Sequence, residues 1–188
     1  MTFPHLIPDM LETEGVMNKA FTIILLVAAF ALPSLAQTPC TRYVAESFSI
    51  CQPAGWTAKA EQGKNFKYFE LVVSNGVHAN LLFDTDTNSL KLSAYVDSTN
   101  EYELAHFAEN GFTSMKLVGR SAIVTDTNEI GIKSIFLEEV KGNKLCCFQY
   151  IFDTEKQKLL ITFTSFESER IANEKLFDDT IKSLKINH

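Results

Sequence analysis

The feature that most constrains this chain is a two-residue alternation of bulky apolar side chains through its C-terminal half. Between Leu145 and Phe152, the residues Cys146, Phe148, Tyr150 and Phe152 share one face. After a short polar gap, Leu159, Ile161 and Phe163 repeat the pattern with Thr162 and Thr164 opposite. Only an extended backbone sends successive side chains to opposite faces, so both stretches are expected to be half-buried β-strands. The same reading applies to Phe69, Leu71 and Val73, with Lys67 an exception at the start, and to Val77, Ala79, Leu81 and Phe83. Turn residues at Asn75-Gly76, at Lys141-Gly142-Asn143 and from Asp153 to Lys158 predict antiparallel connections. Further strands are expected at Leu90–Asp97, Ser121–Asp126 and Ile130–Val140.

Two segments change period. Leu104, Phe107, Ala108, Phe112 and Met115 recur at helical spacing, with Gly111 on the same stripe and Ser98 and Glu101 as a possible capping box. A second helix is expected from Glu169 to Ser183, turning Phe177, Ile181 and Leu184 inward. Strands and helices segregated along one chain make an α+β domain.

The N-terminal segment reads as an address. Lys19 precedes an apolar run from Phe21 to Leu32, and Pro33 breaks it ahead of Ser34-Leu35-Ala36. This is the pattern of a secretory signal at residues 17–36, with cleavage expected after Ala36. This run of 12 residues, apolar except for Thr22, reaches roughly 18 Å as a helix, short of a hydrocarbon core about 30 Å thick. Residues 1–16 carry Asp9, Glu12 and Glu14 and no Lys or Arg, the opposite of a signal's opening region, so translation is expected to begin at Met17. Gln37-Thr38-Pro39 before Cys40 do not match a lipoprotein acylation signal. The expected exported form is a periplasmic or secreted chain starting near Gln37, with a short segment over 37–47 and one domain over 48–186.

Charge excludes one class of partner. The net charge is -6; because only Asp9, Glu12, Glu14 and Lys19 are charged before Gln37, it becomes -4 beyond Ala36. With a pI of about 5.2 and no basic cluster, nucleic acid is an unsuitable partner.

Catalytic patterns are few. His78 and His106 fall on polar faces and His188 is the last residue, none beside a Ser or Cys in a recognisable triad setting. Asp84, Asp86 and Asn88 open like a calcium loop, but Ser89 stands where Gly is required and Tyr95 where Glu is required. With no Cys-x-x-Cys and no glycine-rich phosphate loop, the residues imply no catalytic site, no cofactor and no metal.

The opening of the domain is Phe48-Ser49-Ile50-Cys51-Gln52-Pro53-Ala54-Gly55-Trp56. Phe48 and Ile50 share one strand face, Pro53 and Gly55 turn the chain, and Trp56 is expected to be buried. This run resembles the opening strand and turn of the PsbP-like superfamily, and the order of elements to Ile186 agrees. The resemblance implies a central antiparallel sheet flanked by helices, an α/β/α sandwich. Cys51 inside the first strand and the adjacent Cys146-Cys147 depart from the family pattern.

Four cysteines remain after cleavage, and an exported protein meets oxidising conditions. A bond between the neighbours Cys146 and Cys147 would strain the backbone and oppose their directions on a strand. Two arrangements are left. Cys40 and Cys51 each bridge one of the adjacent pair, or they bridge each other and leave two thiols. The function expected from all this is a non-catalytic binding or assembly module that docks on an envelope protein or complex. The alternative is a small-ligand carrier with a cleft between sheet and helices, and an unrecognised enzyme ranks third.

Overall fold

The computed structural model describes residues 40–59, 67–72, 78–155 and 157–187. In chain order the elements are β1 (Arg42–Val44), β2 (Phe48–Cys51), β3 (Trp56–Lys59), β4 (Lys67–Val72), β5 (His78–Asp86) and α1 (Leu92–His106). Then follow β6 (Ser114–Val124), β7 (Ile130–Val140), β8 (Asn143–Asp153), β9 (Lys158–Phe166), α2 (Arg170–Lys182) and β10 (Lys185–Ile186). The larger sheet is antiparallel throughout, in the order β3-β4-β5-β9-β8-β7-β6. Two meanders, β3 to β5 and β6 to β9, meet where β5 pairs with β9, and α1 links them. The small sheet β1-β2-β10 joins the two ends of the domain. The fold is α+β, a sheet with helices, as the alternation requires.

The expected aromatic stripe is the centre of the core. Phe148, Tyr150, Phe152, Leu159, Ile161 and Phe163 are all fully buried on one face of the large sheet. Phe177, Ile181 and Leu184 pack on that face, together with Phe48 and Ile50 from β2. Filling one side chain of this size into the core stabilises by roughly 1.5–3 kcal/mol. A polar device holds α2 in place: the Lys133 ammonium on β7 donates to Glu174 at 2.9 Å and to Asp178 at 2.9 and 3.0 Å. Tyr150 donates to the same Asp178 at 2.7 Å. Burial alone would pull the Lys133 pKa down, but these hydrogen bonds together outweigh it and leave it raised.

The opening motif makes a type II turn. Gly55 has φ +83°, and the Trp56 amide donates to the Pro53 carbonyl at 3.1 Å. Only the turn's third residue needs a left-handed backbone, which is why glycine stands there. Trp56 then begins β3 buried, edge-on to Phe163 and Phe177. At the β7–β8 hairpin, Lys141 and Gly142 both have positive φ, at 50° and 79°, which matches the twist of the flanking strands.

The structure corrects three expectations. Leu90–Asp97 is not a strand: helix α1 begins at Leu92 and ends at His106, so Ser98 and Glu101 lie inside it and cap nothing. Gly111, at φ +85°, lies in the turn after the helix, and Met115 belongs to β6. The strand expected from Ser121 runs from Ser114 to Val124, with a register irregularity between Leu117 and Gly119. Asn75-Gly76, His188 and the residue before the expected cleavage, Ala36, lie outside the described residues. Of the cysteine arrangements, the structure holds Cys40–Cys51 bonded, with Cα atoms 5.5 Å apart, and Cys146 and Cys147 as buried thiols.

Two predictions follow from this packing. A Cβ on Gly131 would lie 2.4 Å from the ring of Phe152, its cross-strand partner on β8. Gly131→Ala should therefore lower the unfolding free energy by roughly 1–3 kcal/mol in urea titration. Equal stability would show that the buried ring can move aside. The disulfide closes a loop with a sequence separation of 11, for which chain entropy gives about 3 kcal/mol. Reduction should destabilise the wild type by that order and leave Cys51→Ser unaffected.

Candidate functional site

The two faces of the large sheet are built differently. The face under α2 is apolar, whereas the face under α1 changes character along the strands. Where α1 begins, Leu92, Tyr95 and Val96 pack on Ile132, Ile151 and Leu160. The Tyr95 hydroxyl donates to Asp86 at 2.9 Å, and Arg120 on edge strand β6 bonds Asp97 and Ser93 of the helix. These contacts fix the first turns of α1 over the sheet.

Beyond them the inward residues become polar. The positions of α1 that face the sheet include Asn100 and Glu103, at helical spacing from Val96. Beneath lies a cross-strand row of Leu82, Thr162, Gln149 and Ser134 on β5, β9, β8 and β7. The next row holds Thr164, Cys147 and Phe136, and beyond it Glu138 stands opposite Met115 on β6. Between these rows and the end of α1 is a cleft of about 220 Å³, lined also by Phe112 of the loop after the helix.

Buried polar groups in and beside the cleft are unpaired. Asn100 donates to Ser134 at 3.0 Å, but its Oδ1 has no partner. Gln149 is only 7% exposed and its Oε1 also has none. Leaving such a group dry costs on the order of 1–3 kcal/mol. Burial pushes the Glu138 carboxyl up to about 7; a hydrogen bond from the Cys147 thiol opposes this, and the charge of Glu103 adds to it. Burial also raises Glu103, against the opposing charge of His106. The Cys147 thiol is held far above its ordinary range by burial, then by Glu138. It is a neutral thiol at physiological pH, not a nucleophilic thiolate. Among the described residues no group of three His, Cys, Asp or Glu side chains could hold a metal ion.

Two larger concavities, about 530 and 390 Å³, lie over turn residues such as Asn88, Asp153, Gly142 and Lys144, all of them exposed. Asn88 spends its side chain on the Leu90 amide and Asp86 on Tyr95, so the acidic loop of the sequence is a structural turn.

The residues singled out from sequence do not converge on the cleft. Phe48, Ile50, Pro53, Gly55 and Trp56 come together as an opening strand and turn on the opposite face. Cys40 and Cys51 fasten that end, and Cys146 joins the aromatic core. Of the expected site residues only Cys147 reaches the cleft, joined by Phe112 and Met115 of the expected helical stripe. His106 stacks on Tyr102 at 4.2 Å. Sequence reasoning missed Glu103, Glu138, Gln149, Thr162 and Thr164. Each occupies an alternate strand or helix position that reads as a solvent face until a helix is known to cover it.

The sequence matches no family model, and no curated protein reaches significant similarity to it. Solved structures do share the fold. Cyanobacterial PsbP (CyanoP) from Synechocystis superposes with a TM-score of 0.62 at 13% identity, covering 82% of this chain and 96% of its own. A protein of unknown function from Pseudomonas aeruginosa gives 0.56 at 17% identity, covering 79% and 98%. LpqN of Mycobacterium tuberculosis, described as involved in cell envelope biogenesis, gives 0.52 at 10% identity, covering 81% and 88%. The fold is PsbP-like.

The raised carboxyl makes a pH prediction. At low pH Glu138 is protonated in both the folded and unfolded chains. From about pH 4.3 the unfolded chain releases this proton while the folded one keeps it up to about 7. Stability therefore falls as pH rises through that window and then levels off, by about 4 kcal/mol in all at about 1.4 kcal/mol per unit. Glu138→Gln should match the wild type near pH 4 and exceed it by roughly 3–4 kcal/mol at pH 8 in chemical denaturation. Parallel curves would show that Glu138 titrates normally.

Proposed function

We propose that this PsbP-like domain is an exported, non-catalytic binding domain of the cell envelope that holds a small ligand in the cleft beneath the end of α1. The observation that carries the reading is the buried Gln149 amide in the lining of the cleft, whose Oε1 has no partner among the described residues. A ligand group that pairs with it removes the desolvation cost that the empty fold bears. Binding is favoured over reaction because burial and the charge of Glu138 hold the Cys147 thiol in the cleft in its neutral form. Export is supported by the signal-like segment at residues 17–36 and by the Cys40–Cys51 bond. Among the described residues no helix is long and apolar enough to cross a membrane.

A second reading, docking on an envelope protein, is favoured by one specific feature. Val124 and Ile130 are cross-strand partners at the β6–β7 turn and are 51% and 65% exposed. An exposed apolar pair of this kind suits a protein partner. A photo-crosslinker at Ile130 that recovers one envelope protein reproducibly would favour docking over carriage.

The test is native mass spectrometry of protein purified from the envelope of its own host. The expected chain begins at Gln37, is lighter by the hydrogens of one disulfide, and carries extra small mass under gentle ionisation. A chain retaining residues 1–36 would overturn export, and a bare chain would overturn tight carriage.

A further inference from the structure

The lining of the cleft selects a charge as well as a size. Every polar group it presents is an acceptor or a neutral donor: Glu103, Glu138, the Gln149 amide, Thr162 and Thr164. Among the described residues no Lys, Arg or His lines it. The remaining wall is Leu82, the Cys147 thiol, the rings of Phe112 and Phe136 and the thioether of Met115; the rings and the thioether attract a cation once it is desolvated. An anionic ligand would face two carboxyls with no counter-charge, and a metal ion lacks a sufficient donor set among the described residues.

We propose that the cleft binds a small organic ammonium ion, its N–H groups donated to Gln149 Oε1 and the Glu138 carboxylate and its short apolar body laid against Phe112, Met115 and Phe136. This rests on the small-ligand reading of the cleft. The volume of about 220 Å³ equals on the order of seven waters at roughly 30 Å³ each. That admits an alkylammonium of about four or five carbons, not a lipid or a peptide.

Occupancy is coupled to protonation. The ammonium binds the ionised form of Glu138, which burial withholds until about pH 7. The groups facing Glu138 are Glu103 on α1, with His106 beside it, and Cys147 on β8. Met115 faces it from β6 and the two threonines line the cleft from β9. Glu103, itself raised by burial, changes charge in the same sense as Glu138 when pH rises, so it reinforces the dependence.

The experiment is calorimetric titration of the purified domain with n-butylammonium, butan-1-ol and butyrate, three probes of one shape and three charges, at pH 5.5 and 8.5. An alkylamine titrates near 10.4, as lysine does, so the probe stays cationic throughout. Butylammonium should bind at least tenfold more tightly than butanol at pH 8.5. Its affinity should weaken by about 30-fold at pH 5.5, the loss expected when only the ionised fraction is competent. Glu138→Gln should abolish the pH dependence and weaken binding at least tenfold, as should Gln149→Leu. Because Glu138→Gln is expected to be more stable at pH 8, its loss of binding would not reflect unfolding. If either variant fails to fold, the wild-type pH profile and probe ranking decide alone. Equal binding of butanol, or tighter binding of butyrate, would overturn the ammonium assignment and leave the small-ligand reading standing. Binding of none of the three would overturn both.

Discussion

The ring of Phe177 lies nearly flat on that of Phe163, with centroids 4.3 Å apart, and the rest of the fold leans on this contact. Phe148 and Trp56 meet Phe177 edge-on at 5.3 and 6.2 Å, so a helix, two central strands and an edge strand converge on one side chain. Offset and edge-on rings carry specific geometry as well as buried area, which fixes where α2 crosses the sheet. Once α2 is placed, β10 is delivered beside β2, and the two ends of the domain close into the small sheet. The Lys133 bonds to Glu174 and Asp178 act on the same pairing from its rim. They specify orientation more than they add stability, because desolvating an ion offsets much of its attraction.

This concentration of apolar surface on one face frees the other. A sheet in a domain of this size needs one well-packed face for a cooperative core, and Phe148, Tyr150, Phe152 and Phe163 supply it. The opposite face can then keep Gln149, Thr162, Thr164 and Glu138 beneath a helix. Such a face is a poor choice for stability alone: its orphaned amide oxygens and uncharged buried carboxyl each cost free energy that an apolar substitute would avoid. That contrast between two faces of the same strands is the physical reason for assigning function to the cleft rather than to the larger surface grooves.

How far the sequence could be read follows the same division. The β8 and β9 strands were legible because Phe148, Tyr150, Phe152, Leu159, Ile161 and Phe163 alternate without a break, and α2 because Phe177, Ile181 and Leu184 mark one stripe. The Phe48–Trp56 opening was legible for a different reason: a turn with a positive φ at its third position demands glycine there. Helix α1 was hidden. Its inward face mixes Leu92, Tyr95 and Val96 with Asn100 and Glu103, while Leu90, Leu92, Ala94 and Val96 imitate a strand. The cleft was hidden with it, since polar residues alternating along a strand look solvated until something covers them. What failed to show in the sequence is a tertiary override, and it falls at the site argued to be functional.

The short disulfide has a consequence in time. Cys51 precedes Cys146 by roughly 95 residues, so in a chain threaded N-terminus first into an oxidising compartment it arrives earlier. During that interval Cys40 has only one possible partner in its own chain. The competing arrangements with Cys146 or Cys147 are disfavoured by order of arrival before any difference in final stability can act. By the time those two thiols appear they enter a strand, on opposite faces, and burial removes the thiolate that exchange would require. The native pairing is thus written into the direction in which the chain is threaded.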